Sequence, residues 1–300
     1  MTLLTLTLSP ALDIEYRSEK TQPSGMIRTR EHRMTAGGKG INVSRSILKC
    51  AARFGECVNL KTVAPVGGET GQTLKRLLEK EGIPLTGVEI EENTRVNVSL
   101  IPDEGESLEI NAPGTPVGDR LEEIENAVLD GLEKDDVVVI AGSCPKDVPK
   151  SYPASLIAKI RKKGAYAVLD CDGEALKIAV SAPEDERPNL IKPNERELCE
   201  LAGIDPSKAD KKALTAAAEG LGIDTVITTR AEKEAMLTCR VWNNGKTVFF
   251  EVKEEKVVRL KGAGDTFLGA FVYTYCVRKE PPEWAMETAQ DAAGSWVRGE

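Results

Sequence analysis

Val137-Val138-Val139-Ile140, then Pro153 to Lys163, then Ala165-Tyr166-Ala167-Val168-Leu169 read as strand, helix, strand, and this unit sets the class of the chain. A short continuous apolar run marks a strand buried on both faces, whereas the spacing over Pro153 to Lys163 is that of a helix with one apolar side. Outward from this unit the alternation recurs. Leu3 to Leu8, Asn189 to Ile191 and Thr225 to Thr228 read as further core strands, with Gly71 to Glu81 and Lys211 to Leu221 as helices. Strands that alternate with helices build a mostly parallel sheet under helical layers, so the expected class is α/β. Two segments, Asp13 to Met34 and Thr94 to Asn111, alternate polar and apolar residues instead, and the second contains the turn Pro102-Asp103-Glu104-Gly105. They are expected to pair into a small second sheet beside a cleft, a lid whose outer face also suits pairing with a second subunit.

The composition narrows the function classes. At 300 residues, with 41% hydrophobic and 29% charged residues, the chain fits one large globular domain. A net charge of -8 argues against a nucleic-acid footprint. The seven cysteines show no CxxC spacing, which points away from a zinc site or a disulfide framework and toward free thiols in a reducing cytoplasm. Leu3 to Leu8 lacks a basic leader and is too short to span a bilayer, so it reads as a strand rather than a targeting segment, with no membrane partner expected. His32 is the only histidine, which removes serine–histidine and histidine–metal chemistry.

Three glycine- or amide-bearing loops carry the chemistry. Lys261-Gly262-Ala263-Gly264-Asp265-Thr266-Phe267 follows a β-like stretch, Thr247 to Val258, and opens an apolar helix, Phe267 to Val277. Small residues at a helix start let successive N–H groups converge on an anion, and an aspartate there is placed to take a proton from an attacking hydroxyl. The same residues also suit a plain helix cap. Ala36-Gly37-Gly38-Lys39-Gly40-Ile41-Asn42 places glycines for close approach, a lysine for phosphate and an amide before a second helix; neither the P-loop nor the dinucleotide spacing is present. In Lys192-Pro193-Asn194-Glu195-Arg196-Glu197, Asn194 and Glu197 share one helix face. They suit magnesium held through water, or a capping box.

Together with Thr5 to Asp13, Thr94-Arg95-Val96-Asn97, Glu109 to Gly114 and Gly142-Ser143-Cys144-Pro145, these segments resemble the PfkB branch of the ribokinase-like carbohydrate kinases, in family order over nearly the whole chain. The resemblance implies a three-layer ribokinase-like fold, with an α/β core over 1–12, 35–93 and 112–300 and a β lid over 13–34 and 94–111. Within the branch the chain is most similar to 1-phosphofructokinases and tagatose-6-phosphate kinases, so it implies ATP as donor, Mg2+ as cofactor, a ketohexose monophosphate as acceptor and a cytoplasmic enzyme. On this resemblance Asp13 holds sugar hydroxyls, while Gly37, Gly38, Lys39, Asn42, Arg95 and Ser143 surround the sugar and its phosphate. Lys192, Asn194 and Glu197 face the nucleotide phosphates and magnesium, Thr228 or Thr229 offers a hydroxyl to the nucleotide, and Gly262, Ala263 and Gly264 form the anion hole beside the base, Asp265. An arginine with a lysine is what a phosphate-bearing substrate needs.

Departures from the family pattern are local. Thr228 to Ala235 lacks the glycines that relatives carry beside the nucleotide, Arg259-Leu260-Lys261 replaces small polar residues, and Ser9 stands where asparagine is common. Against the family pattern, the stop at Gly299-Glu300 leads to the expectation that a C-terminal segment is short or missing. These features sustain a competing expectation, a weakened or engineered family member that binds sugar phosphate or nucleotide without efficient turnover.

Overall fold

The computed structural model describes residues 1–20, 26–104, 106–230, 234–252 and 261–300. Along the chain run β1 (Leu3–Leu6), β2 (Ala11–Lys20), β3 (Glu31–Gly37), α1 (Lys39–Arg53), β4 (Leu60–Gly67), α2 (Gly68–Lys80), β5 (Leu85–Ile90), β6 (Val96–Glu104) and β7 (Leu108–Asn111). There follow α3 (Leu121–Leu129), β8 (Val137–Ala141), α4 (Tyr152–Lys162), β9 (Tyr166–Asp170), α5 (Gly173–Ser181), β10 (Leu190–Ile191), α6 (Glu195–Ala202) and α7 (Lys211–Gly220). The last elements are β11 (Thr225–Thr229), β12 (Glu234–Cys239), β13 (Val248–Glu251), α8 (Ala263–Val272) and α9 (Pro282–Arg298).

Nine of the described strands form one sheet in the order β13-β12-β11-β10-β9-β8-β1-β4-β5. From β5 to β11 every pairing is parallel, and β12 and β13 close that edge in antiparallel fashion. Strand alternation splits the core into two layers. Val138 and Ile140 of β8 pack with Ile124 of α3, Leu156 and Ile160 of α4, Leu198 of α6 and Leu214 of α7. Val137 and Val139 face the other way, onto Ile47 of α1, Phe271 of α8 and Met286 of α9. This is the three-layer α/β architecture expected, and β8, Val137 to Ala141, is apolar throughout because both of its faces are covered.

Pro65 lies within β4, where a missing N–H would break a central ladder. Here β1 pairs only with Leu60 to Val63, so Pro65 lies beyond the part of β4 that β1 reaches.

The second sheet has the order β3-β2-β6-β7, with β2 and β6 parallel and both outer pairs antiparallel. Its strands extend past the expected segments: β2 begins at Ala11 and β3 continues to Gly37, pairing Ala11 with Gly37. That extra length places Asp13 and Gly37 together at the junction between the sheets. The expected turn falls partly outside the described residues, at Gly105, and so do Arg259, Leu260 and the stretch 253–258 that was read as part of a strand; β13 itself covers Val248–Glu251.

Among the described residues no helix is long and apolar enough to cross a membrane. All seven cysteines are free thiols.

Candidate active site

The helix α8 starts four residues earlier than its apolar stretch suggests. Gly262 is its cap residue at φ 88°, Thr266 N donates to Gly262 O at 2.9 Å, and no side chain caps the first turn. A left-handed residue here is cheap only for glycine. A Cβ on Gly262 would also lie 2.9 Å from the Trp296 ring, whose Nε1–H donates to Lys261 O at 2.9 Å. The cap reading of Asp265 therefore fails: its carboxylate is 8% exposed and accepts from Asn42 Nδ2 at 2.8 Å, across 223 positions of sequence. Burial, and then the neighbouring Asp170, push the Asp265 carboxyl above its ordinary range, while Asn42, Lys192 and Lys39 pull it back.

Asp170 is the member of the cluster that the sequence did not announce. It ends β9, is 3% exposed, and stands between Lys39 Nζ at 3.7 Å and Lys192 Nζ at 3.5 Å. Its Oδ2 is buried without a hydrogen bond despite the Lys192 contact, so that pair is electrostatic rather than a formed hydrogen bond. The available signal was position: a lone acid closing an apolar strand at the carboxyl edge of a parallel sheet, where such sheets place ligands. Burial disfavours the Lys39 ammonium, yet Asp170, Asp265, Glu197 and Asp172 outweigh it and its pKa rises. Lys192 reaches the same point from the end of β10, and Gly264 is open to it: a Cβ there would lie 3.5 Å from Lys192 Nζ.

On the lid side, Asp13 Oδ1 accepts from Asn97 Nδ2 at 2.8 Å and lies 3.7 Å from Lys261 Nζ. Gly37 is required where it stands, since a Cβ would fall 2.2 Å from Asp13 Oδ2. Gly38 caps α1 at φ 128°, packed so that a Cβ would lie 2.6 Å from Thr7 Cγ2. Arg95 is half-buried and donates to Ser9 O at 2.9 Å, Pro10 O at 3.3 Å and Ala112 O at 2.9 Å. Burial lowers its pKa, with Asp13 opposing. These bonds use one N–H from each nitrogen of the guanidinium, and two of its five donors remain. Ser143 is exposed just past the carboxyl end of β8.

Asn194 and Glu197 form the capping box. Asn194 Oδ1 accepts from Glu197 N at 2.9 Å, and Glu197 Oε2 accepts from Asn194 N at 2.8 Å. The box leaves the second Glu197 oxygen out of the cap, and Glu197 still acts electrostatically on Lys39. A bridge between Asn194 and Thr229 brings β11 to the same place. Of the paired threonines only Thr229, the last residue of β11, is partly exposed; Thr228 is fully buried, its hydroxyl without a hydrogen bond, because both faces of β11 are covered up to that point. Thr229 is thus the one of the two expected threonines whose side chain is open to the cleft edge. In the glycine-free stretch, Arg230 pairs with Glu195 at 3.0 Å and with Glu234; residues 231–233 lie outside the described residues.

The cluster therefore gathers, at the carboxyl edge of the sheet, a buried carboxylate held by an amide, two lysines balanced on a second carboxylate, and a glycine-framed helix N-terminus. Among the described residues no group of three or more His, Cys, Asp or Glu side chains forms a metal cage. A donor set of one carboxylate and one amide suits a hard cation that keeps most of its water, which is how magnesium binds.

Residues 7–299 match the model of the pfkB family carbohydrate kinases. The chain is 30% identical over 279 residues to the 1-phosphofructokinase of Bacillus subtilis (strain 168), an alignment covering 90% of this chain and 84% of that protein. It is 33% identical over 210 residues to the ATP-dependent 6-phosphofructokinase isozyme 2 of Escherichia coli (strain K12), covering 69% of this chain and 65% of that one. The crystal structure of phosphofructokinase-2 from Escherichia coli in complex with fructose-6-phosphate superposes with a TM-score of 0.87 at 26% identity, over 98% of this chain and 93% of that chain.

Proposed function

As the chain belongs to the pfkB family of carbohydrate kinases, we propose that it transfers a phosphoryl group from ATP to a ketohexose monophosphate, fructose 1-phosphate or tagatose 6-phosphate, with Asp265 as base. The observation that carries this reading is the buried Asp265 carboxylate at the N-terminus of α8, fixed by Asn42 and flanked by Lys39, Lys192 and Asp170. Its raised pKa moves it toward the basicity that proton abstraction near neutral pH requires.

Lys39, Ser143 and the two remaining donors of Arg95 take the phosphate already on the sugar, while Asp13 orients hydroxyls through the oxygen that Asn97 and Lys261 leave open. The acceptor hydroxyl then faces Asp265, which accepts its proton. The backbone N–H groups of Gly262, Ala263 and Gly264, with the dipole of α8, stabilise charge on the transferring group, and Lys192 neutralises the nucleotide phosphates. Thr229 offers its hydroxyl on the nucleotide side. Magnesium, held through water by Asn194 and Glu197, supplies further neutralisation of phosphate charge when bound. Asp170 touches no reacting atom in this scheme; it positions the two lysines.

The small sheet serves as the lid, the domain division being 13–34 with 94–111 against the remaining core. Met34, Leu108 and Ile110 on it are exposed apolar side chains, which favours a homodimer through the lid; light scattering showing a monomer at working concentration removes that reading. Arg230, tied to Glu195 and Glu234 where relatives carry glycines, favours the competing reading of a binder with weak turnover.

The roles are tested by separate substrate titrations. Lys39→Ala and Arg95→Ala should raise the sugar-phosphate KM at least tenfold and leave the ATP KM within about twofold, as expected for lost charge-assisted contacts to one substrate only. Equal effects on both substrates would remove the assignment.

A further inference from the structure

A cavity of about 300 Å³ opens at the opposite edge of the sheet from the catalytic cluster. Its walls are the amino ends of β8 and β9 and the residue before β10, through Val137, Ala165, Tyr166 and Asn189, together with Arg161 at the end of α4 and residues Tyr275, Cys276, Lys279 and Glu280 behind α8. Asp170 and Lys192 lie at the carboxyl ends of these same strands. Tyr166 and Asp170 bound β9, so the two places stand roughly 13 Å apart along the strand.

Five features of this cavity are not used by the reaction. Arg161 Nε and Tyr166 Oη are both buried without a hydrogen-bond partner among the described residues, and both line it. Native structures seldom leave such donors unmet unless something else satisfies them. Asp135 and Lys279, also in its wall, are non-glycine residues in the left-handed region at φ 69° and φ 59°. For lysine that conformation is uncommon and costs free energy, and residues so held concentrate at ligand sites. Finally, α8 runs into a single π turn, Tyr273–Val277, which delivers Tyr275 and Cys276 to the wall; such turns are frequent at functional sites.

The chemistry selects the occupant. Asn189 is already spent, its Oδ1 accepting from Ala167 N at 2.8 Å and its Nδ2 donating to Asp224 at 3.0 Å. Glu280 is taken by Arg278 at 3.2 Å. What remains is a guanidinium, an ammonium at the rim and a phenol, with the Asp135 carboxylate beside them. Burial pushes the Tyr166 phenol well up, so it stays a donor at neutral pH. Three donors, two of them cationic, fit an oxyanion, and Val137, Ala165 and Cys276 leave apolar room for a small carbon body.

We propose that this cavity is a second ligand site, separate from the catalytic cleft, for a compact organic oxyanion, with Arg161, Lys279 and Tyr166 on the anionic head and Asp135 accepting from a hydroxyl of the body. The head is a phosphate or a carboxylate, and the test separates them. Calorimetric titration of the full chain with glycerol 3-phosphate, glycerate and inorganic phosphate is run in a Lys39→Met/Lys192→Met background, which removes two of the three cations assigned to the cleft; binding through Arg95 there is recognised by its indifference to both Arg161→Met and Lys279→Gly. Arg161→Met and Lys279→Gly are then added singly; glycine accepts φ 59° without strain, so Lys279→Gly keeps the fold while removing the charge. The expected result is saturable binding of one probe, weakened at least tenfold by Arg161→Met and at least threefold by Lys279→Gly. Glycerol 3-phosphate or inorganic phosphate as the tighter probe assigns a phosphate head, and glycerate a carboxylate one. No saturable binding of any probe, or binding unchanged in Lys279→Gly, overturns the proposal, whether or not Arg161→Met folds.

Discussion

Replacing Asn42 by leucine isolates the one side-chain hydrogen bond that holds the Asp265 carboxylate among the described residues. The amide donates to Asp265 Oδ2 at 2.8 Å and is one of the influences that lower the pKa of that buried acid. A hydrogen bond to a charged group contributes about 1.5–3 kcal/mol, all of it to the ionised form, so its loss should raise the Asp265 pKa further. Burial and Asp170 already act in that direction, and with the donor gone only Lys39 and Lys192 oppose them. A base must be ionised to act, so the acidic limb of kcat/KM against pH should move to higher pH. Arg45 loses its bond to Asn42 Oδ1 but keeps Ala36 O at 2.9 Å, which preserves the local packing; an unchanged thermal midpoint checks this. The assay is ADP release over pH 5 to 9. An acidic limb that stays in place, or moves to lower pH, would refute the assignment of Asp265 as the titrating base.

Asp170→Asn carries the opposite sign: it removes the carboxylate that raises the Asp265 pKa, so the same limb should move to lower pH, with a raised KM because Lys39 and Lys192 lose their common anchor. Asp265→Asn should stabilise the fold while abolishing turnover. A carboxyl with a raised folded pKa gives stability that is full below its unfolded pKa and lost as pH rises through the folded one; the thermal midpoint of the variant should therefore exceed that of the parent at pH 8 and lose that advantage below about pH 4. Gly37→Ala forces a Cβ to within 2.2 Å of Asp13 Oδ2, and should cost about 1–3 kcal/mol in urea denaturation while raising the sugar-phosphate KM with little change in that for ATP.

Legibility followed the range of the forces involved. Fully buried parallel strands read directly: Val137 to Ile140 for β8, where covering both faces leaves no polar interruption, and Thr225 to Thr228 for β11, whose β-branched residues fit a covered strand even with threonines among them. The capping box of Asn194 and Glu197 was also local, and it formed. By contrast β4 contains Pro65 and β12 follows the glycine-free stretch, so neither announces itself by pattern; each is a strand because its neighbours pair with it. In the site, the glycines and Lys39 stood out through loop chemistry. Asp170 did not, since its meaning lies in two lysines brought to it from the start of α1 and the end of β10. Nor did the link from Lys261 to Asp13, or the support that Trp296 gives to the Lys261 carbonyl, which join elements far apart in the chain.

The most direct test of the central claim is a coupled assay of ADP release with ATP, Mg2+ and a panel of sugars and sugar phosphates, paired with calorimetric binding of the best acceptor to the Asp265→Asn variant. The account predicts turnover confined to ketohexose monophosphates, a loss of about 10² to 10⁴ in kcat for Asp265→Asn, and sugar-phosphate binding retained by that variant. Binding of sugar phosphate by the unaltered chain without ADP release, or a kcat for Asp265→Asn close to that of the unaltered chain, would contradict it.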